Sequence, residues 1–256
     1  SGTNQFRGPI YRQIRTESQV GTEAKDEIVN PGTFEFANTG GWLGGPIVRN
    51  KLFFFGNFED ESLTQPGTTF RANNGGETPA GSVTRVLASD LQQLSSYLQT
   101  NFGYETGPYE NYDFETPARR YLIKGDYNLN ANNKITFRYT QLDSDTDVLL
   151  SNSSSLGFGS RRTSLFALNF DNSNYKILEN IKSGIGEWNA VIGNSMSNSL
   201  IVGYTYQDES REPKGAFFPL VDILAGDNST YTSIGFEPFT PNNELRYKTF
   251  QLQNNF

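Results

Sequence analysis

The acidic run from Asp143 to Asp147 has residue types and a spacing that could support metal chemistry. Asp143, Asp145 and Asp147 are spaced as D-x-D-x-D, which could offer several oxygens to a calcium ion. The run lacks the glycine at the sixth position and the glutamate at the twelfth that calcium-binding loops use. We therefore interpret it as an acidic, solvated loop, where a calcium ion would brace the loop rather than take part in a reaction.

Two glycine-rich stretches could in principle bind phosphate. The first contains Gly40, Gly41, Gly44 and Gly45, but no Gly-Lys-Ser/Thr follows it, and Pro46 breaks any helix that could present its N-terminus. The second, 184–186, lacks the following helix of a dinucleotide-binding fold. Glycines that thin a strand and let it curve explain these stretches better.

The residue counts exclude several enzyme classes. Histidine and cysteine are both 0, which removes Ser-His-Asp and Cys-His nucleophiles, His or Cys zinc sites and thiol redox chemistry. Four carboxylates could serve a glycosidase, but no spacing among Glu35, Glu59, Asp126 and Glu187 selects a pair. We predict that the chain is not an enzyme and has no catalytic residues, no cofactor and no metal.

Composition favours a β protein. The 256 residues carry a net charge of −7 with a pI near 4.8, which disfavours binding to nucleic acid. Aromatic residues make up 14% and there are 25 glycines, whereas hydrophobic residues reach only 35%. No apolar stretch approaches the roughly 18 residues of a membrane-spanning helix, but a barrel strand needs only about 9 to 11 residues of alternating polarity.

Alternating polarity predicts three hairpins. In 134–142, Ile135, Phe137 and Tyr139 share one face, and an asparagine-rich turn joins this strand to 121–128. The other hairpins pair 34–45 with 52–58 and 187–192 with 200–206, and single strands lie around Tyr11 and in 245–256. The total is about eight strands.

The predicted connections alternate in length. Three turns have about five residues, whereas four loops have roughly 18 to 55, far above the usual median. Short turns at one end and long loops at the other are typical of outer-membrane barrels, and outward aromatics (Tyr127, Trp188, Tyr204 and Tyr206) fit interfacial girdles. The longest loop, 62–116, should hold a short helix with a capping box at Ser89 and Gln92, an apolar stripe of Leu91, Leu94 and Leu98, and an end at Gly103.

Several motifs resemble those of a known family. They include Ser1-Gly2-Thr3-Asn4, the segment 44–48 followed by 51–59 (Lys-Leu-Phe-Phe-Phe-Gly-Asn-Phe-Glu), the segment 198–204, and 231–239. In these motifs the chain resembles the TonB-dependent outer-membrane transporters, specifically their Oar-like branch. The resemblance implies that residues 1–256 form one partial outer-membrane β-barrel domain, the early strands of a larger barrel without its plug, TonB box and closing strands.

Two features depart from this pattern. Pro9 lies within the predicted first strand, where a proline cannot donate to a ladder, so a bulge is expected there if that strand pairs on both sides. The terminal aromatic Phe256 leaves open a complete eight-stranded barrel. The fold class predicted from the residues and the resemblance is all-β: an antiparallel up-and-down transmembrane β-barrel, a partial wall of about eight strands with long extracellular loops.

The resemblance implies a location in the outer membrane of a Gram-negative bacterium and a role in moving or capturing peptide, protein or glycan cargo. Its expected partners are outer-membrane lipid, a plug domain and the TonB system, with a surface lipoprotein left open and no nucleic acid. Polar residues predicted to face the lumen and hold the plug are Lys124, Asp126, Thr136, Arg138 and Gln207. Candidates for gripping cargo are Phe217, Phe218, Tyr231, Phe236 and Phe239, for which loop-on-loop packing is the favoured alternative.

The sequence also fits two other functions. The same barrel could hold its loops for attachment, as an outer-membrane adhesin or surface receptor without transport. A secreted β-rich carbohydrate-active protein would need two carboxylates aimed at one cleft.

Overall fold

A computed structural model describes residues 3–24, 27–28, 32–153 and 160–256. Residues Ser1 and Gly2 of the first motif lie outside this range. The described residues include one α-helix, α1 (Ala88–Phe102). In chain order the strands are β1 (Ile10–Thr16), β2 (Glu23–Ala24), β3 (Glu27–Ile28), β4 (Glu35–Val48), β5 (Leu52–Pro66), β6 (Arg71–Asn73), β7 (Val83–Leu87), β8 (Asp113–Asn130), β9 (Asn133–Val148), β10 (Tyr175–Leu178), β11 (Asn180–Ile192), β12 (Met196–Asp208), β13 (Arg211–Pro213), β14 (Val221–Leu224), β15 (Thr230–Ile234) and β16 (Arg246–Asn255).

Eight of these strands form one antiparallel wall in the order β1-β4-β5-β8-β9-β11-β12-β16. Each strand pairs with the next of the eight along the chain, so the wall is an up-and-down meander. The three predicted hairpins are confirmed, and their turns are 49–51, 131–132 and 193–195. The long connections all lie at the opposite end, which confirms the predicted asymmetry.

The two faces of the wall differ in polarity. We call the side in phase with Ile135, Phe137 and Tyr139 the apolar face and the side in phase with Thr136 and Arg138 the polar face. Phe137 is 53% exposed and Ile135 40% exposed, so neither a second sheet nor a layer of helices covers this row. The four aromatics predicted to face outward, Tyr127, Trp188, Tyr204 and Tyr206, all lie on the apolar face.

The strand ladder passes Pro9 without a bulge. Arg7 lies opposite Gly44 and Ile10 opposite Gly41, so the register is the same on both sides of the proline. β1 begins after Pro9 and pairs with β4, while its other side is an edge of the wall. The Trp42 N–H donates to the Pro9 carbonyl at 3.2 Å, so the polar groups of Pro9 face β4 and the ladder lacks only the one bond that a proline cannot donate.

The long loops pack on one another as a small unit, here called the loop cap. Its core contains buried residues from three parts of the chain. They are Ala72 of β6, Val86 of β7, Leu91 and Leu98 of α1, Tyr104, Leu168, Phe170 and Ile234 of β15. Helix α1 is amphipathic, and within the described chain no helix is long and apolar enough to cross a bilayer. The cap therefore draws its core from three different loops.

The predicted helix is confirmed but its predicted start is wrong. α1 ends at Gly103, whose φ of 65° is the left-handed conformation expected there, and Leu91 and Leu98 are buried. Its N-cap, however, is Leu87, which makes no side-chain cap, and Ser89 lies inside the first turn. A tertiary contact fixes this end instead, since the Leu87 N–H donates to the hydroxyl of Tyr231 at 2.6 Å.

The acidic run is a strand, not the solvated loop expected from its composition. β9 continues through Asp147 to Val148, and β10 pairs with it there. Lys176 of β10 contacts Asp145 at 2.7 Å, and the Asp147 carboxylate accepts the Glu115 N–H at 2.9 Å. Cations and backbone donors from neighbouring segments thus neutralise carboxylates that look solvated in isolation.

Candidate functional site

The register places all five lumen candidates on the polar face. Lys124 lies opposite Arg138 and Asp126 opposite Thr136, while Gln207 is in phase with them through its partner Ile181. The sheet therefore brings these residues to one surface, which spans β8, β9 and β12. The apolar face between Lys182 and the turns holds no charged side chain among the described wall strands.

Asp126 is the centre of a compact polar cluster. Its carboxylate lies 3.2 Å from Lys124 Nζ and 3.0 Å from Lys134 Nζ, and it accepts the Thr136 hydroxyl at 2.9 Å. The Asp126 side chain is only 8% exposed. Three donors already engage this carboxylate, so it organises the surrounding cations.

The cations around Asp126 line a cavity of about 240 Å³ together with Arg138, Glu187 and Asn189. Arg138 has no ion pair among the described residues, and it faces Lys124 directly across the strand pair. Like charges in directly opposed positions are unfavourable without a counter-charge. This part of the polar face is therefore suited to accept carboxylates or carbonyl oxygens from another segment.

A second charged cluster on the polar face was not predicted from the sequence. Arg120 lies 3.2 Å from Glu61 and 3.9 Å from Glu59, and Tyr11 donates a 2.6 Å hydrogen bond to Glu59. These residues come from β1, β5 and β8. Only the register of three strands brings them together, so the sequence offered no local signal for the cluster.

The five cargo candidates divide into two groups. Phe218 stacks on Tyr104 with ring centroids 4.4 Å apart, and Tyr231 packs against the cap core and donates a 2.8 Å hydrogen bond to Asp90. These two residues hold the cap together, as loop-on-loop packing would require. The second group is more exposed. The ring centroids of Phe217 and Phe236 are 5.3 Å apart, Phe217 is 80% exposed, and Phe239 is also exposed.

Two further exposed aromatics join this surface from α1. Tyr97 and Phe102 lie with ring centroids 6.0 Å apart, and Phe102 contacts Phe218 at 5.8 Å. Tyr97 lies off the leucine stripe of the helix, which is a weak sequence signal for exposure. Tyr97, Phe102 and Phe217 thus each add an exposed aromatic ring to the cap.

Buried and partly buried tyrosines in and beside the cap stay neutral well above neutral pH. Burial raises the pKa of Tyr104 and of Tyr231, and it raises the pKa of Tyr112 to about 12. They act as hydrogen-bonding and packing groups at physiological pH. Among the described residues, no group of three or more acidic, histidine or cysteine side chains could hold a metal ion.

A half-buried lysine links the cap to the wall. Lys214 Nζ lies 2.9 Å from the Asp171 carboxylate and 3.3 Å from that of Asp147 in β9, and it sits 5.0 Å from the ring centroid of Phe114 in β8. The Lys214 side chain is 14% exposed. One cation thus joins two loops to the ends of two wall strands.

An up-and-down wall with an exposed apolar face, charges gathered on the opposite face and long loops at one end is the architecture of an outer-membrane β-barrel. Residues 1–74 match a family model described as an outer membrane beta barrel domain, a stretch that contains β1 to β6. The match points to an outer-membrane location. No curated protein and no solved structure matches the chain.

Proposed function

We propose that this chain is the β-barrel portion of a TonB-dependent outer-membrane transporter or receptor of a Gram-negative bacterium. In this role the apolar face contacts lipid, the polar face lines an aqueous lumen, and the loop cap meets cargo on the cell surface. The observation that carries the proposal is the exposed apolar face. Exposing so many large apolar side chains is costly in water and favourable in lipid.

The strand edges support a wall that continues beyond these eight strands. β1 pairs with β4 and β16 with β12, and neither edge has a second partner among the described residues. In a bilayer every backbone N–H and C=O must be paired, so both edges require neighbouring strands. A barrel of eight strands is filled by its own side chains, whereas a wider one can enclose a plug.

The polar face supports the role of a surface that holds a plug domain. Lys124, Lys134 and Arg138 outnumber their local carboxylates, and acidic or carbonyl groups of a plug would supply the missing acceptors. Gln207 would add amide hydrogen bonds. No residue of this face is assigned a catalytic role, and we propose that the protein is not an enzyme.

The cap aromatics support capture of peptide, protein or glycan cargo. Tyr97, Phe102, Phe217 and Phe239 are exposed, and Phe102 contacts Phe218, which packs against the cap core. Aromatic rings supply large contact area at low entropy cost. A surface lipoprotein could share this surface as a partner. Nucleic acid is a poor partner because the chain carries a net charge of −7.

The cap also favours a second function, that of an adhesin or receptor that attaches without transport. A loop unit with its own core can bind a partner without any movement through the lumen. The two functions differ in their dependence on energy from the inner membrane. Only a transporter requires a plug and the TonB system.

Membrane fractionation and uptake measurements on the full-length protein test these proposals. We expect detergent dependence, migration on gels that changes on heating, and cargo uptake that stops when TonB is deleted. Cell-surface binding that persists with no TonB-dependent uptake would favour the adhesin. A protein that is monodisperse without detergent would contradict the barrel and with it both functions.

A further inference from the structure

The apolar face carries an uncovered groove along β11. On this face β11 presents Lys182, Gly184, Gly186 and Trp188 in succession, so no side chain stands between the lysine and the tryptophan. Six residues of a strand span about 20 Å. The groove thus runs along much of the apolar face.

The walls of the groove are side chains of the neighbouring strands. Gly184 lies between Tyr139 of β9 and Tyr204 of β12, and Gly186 lies between Phe137 and Val202. These strands are about 10 Å apart, because β11 alone separates them. Phe137, Val202 and Tyr204 are all exposed, so both walls offer apolar surface to a ligand in the groove.

Single uncovered glycines also occur on the apolar face at Gly56 and Gly125, but among the described wall strands only β11 has two in succession, and other wall glycines are covered. At Gly40, the Tyr11 hydroxyl oxygen lies 2.6 Å from the position that a Cβ would take, and at Gly45 the Phe6 ring lies 2.5 Å from it. Those glycines are covered by aromatic rings, a common device in sheets. At Gly184 nothing lies within 4 Å, and at Gly186 only the Val202 carbonyl oxygen reaches 4.0 Å.

The loop-side end of the groove is cationic. Lys182 lies opposite Tyr206, which lies opposite Lys248, and neither lysine has an ion pair among the described residues. The nearby carboxylates already have partners, since Asp143 accepts a hydrogen bond from Gln141 and Asp208 pairs with Arg246. The two lysines are therefore available to an anion at the edge of the apolar face.

We propose that this groove binds one membrane lipid with a phosphorylated headgroup. One acyl chain lies on Gly184 and Gly186 between the aromatic walls, and the phosphate contacts Lys182, with Lys248 beside it. The combination of an apolar groove and cations at one end matches such an amphipathic anion. This inference rests on the proposed membrane barrel, because it requires the apolar face to contact lipid.

Quenching of Trp188 fluorescence by brominated lipid tests the proposal. The other tryptophan of these 256 residues, Trp42, lies on the polar face and contacts Phe55. In the full-length protein, replacing Trp42 and every tryptophan outside residues 1–256 by phenylalanine isolates Trp188. The protein is placed in phosphatidylcholine vesicles in which either phosphatidic acid or phosphatidylcholine carries bromine near its chain ends. From the quenching we expect the groove to bind phosphatidic acid more tightly than phosphatidylcholine, by about five-fold for each lysine that contacts the phosphate.

Three variants make the test specific. Replacing both groove glycines (Gly184→Val with Gly186→Val) should abolish the preference by filling the groove, and Lys182→Gln should lower it about five-fold. Gly56→Val is the matched control, because Gly56 is also on the apolar face with nothing within 4 Å, and its preference should equal that of the parent.

The outcomes separate this inference from the proposed barrel. A protein that inserts and changes migration on heating, but shows equal quenching by both lipids, overturns the lipid site alone. The same holds if the double valine variant keeps its preference. A protein that inserts into no vesicle overturns both the lipid site and the barrel.

Discussion

Shortening Leu91 to alanine should open the loop cap without disturbing the wall. Leu91 is fully buried in the cap core, beside Val86, Leu168 and Ile234. Replacing a buried leucine by alanine costs about 2 to 5 kcal/mol, and alanine keeps the helix, so the loss is one of packing. At about 3 kcal/mol the cap would open roughly a hundred-fold more often.

Hydrogen exchange and gel migration measure the two parts separately. We expect faster exchange in α1 and in β15, since both contribute to the same core, with unchanged exchange in β8 and β9 and unchanged heat-modifiable migration. Gln93→Ala is the matched control, because Gln93 is exposed on the same helix. Unchanged protection of β15, or equal loss in β8 and β9, would refute the view of the cap as one unit with its own core.

Three other predictions concern the wall and the ionisable groups of the loops. Phe137→Arg should destabilise the inserted protein by about 2 to 4 kcal/mol while Thr140→Arg, on the polar face opposite Leu122, costs little, which urea unfolding in vesicles would measure. A hydrogen bond from Arg71 lowers the pKa of Glu77 from 4.5 to about 2. Its stabilising effect is therefore present above pH 4.5 and lost as the pH falls towards 2, so cap exchange should respond to acid less in Glu77→Gln than in the parent. Burial raises the pKa of Tyr112 to about 12. Its contribution to folding stability is therefore full below pH 10 and is lost as the pH rises through 12. Ultraviolet titration should show a tyrosine that titrates near pH 12 and is missing from the Tyr112→Phe variant.

Local patterns in the sequence were enough to predict the wall. The alternation of Ile135, Phe137 and Tyr139 with Thr136 and Arg138 sets which side chains share a face, because a strand has a period of two. Glycine and asparagine at the turns, such as Asn50 with φ 62° and Gly193 with φ 65°, mark where each hairpin reverses. Strand number, order and loop asymmetry follow from these local features.

Contacts between distant segments decided the rest. Tyr231 sets the start of α1, Phe218 packs on Tyr104, and Lys176 and Lys214 turn an acidic run into a paired strand end. None of these partners is near in sequence, so no periodicity or spacing reports them.

The sequence by itself therefore determined the faces and hairpins of the wall, whereas the tertiary structure decided which aromatics build the cap and which glycines stay uncovered. The physical reason is the distance along the chain over which each interaction acts. Backbone geometry couples each residue to its immediate neighbours, but packing and charge pairing depend on which strands and loops meet in space.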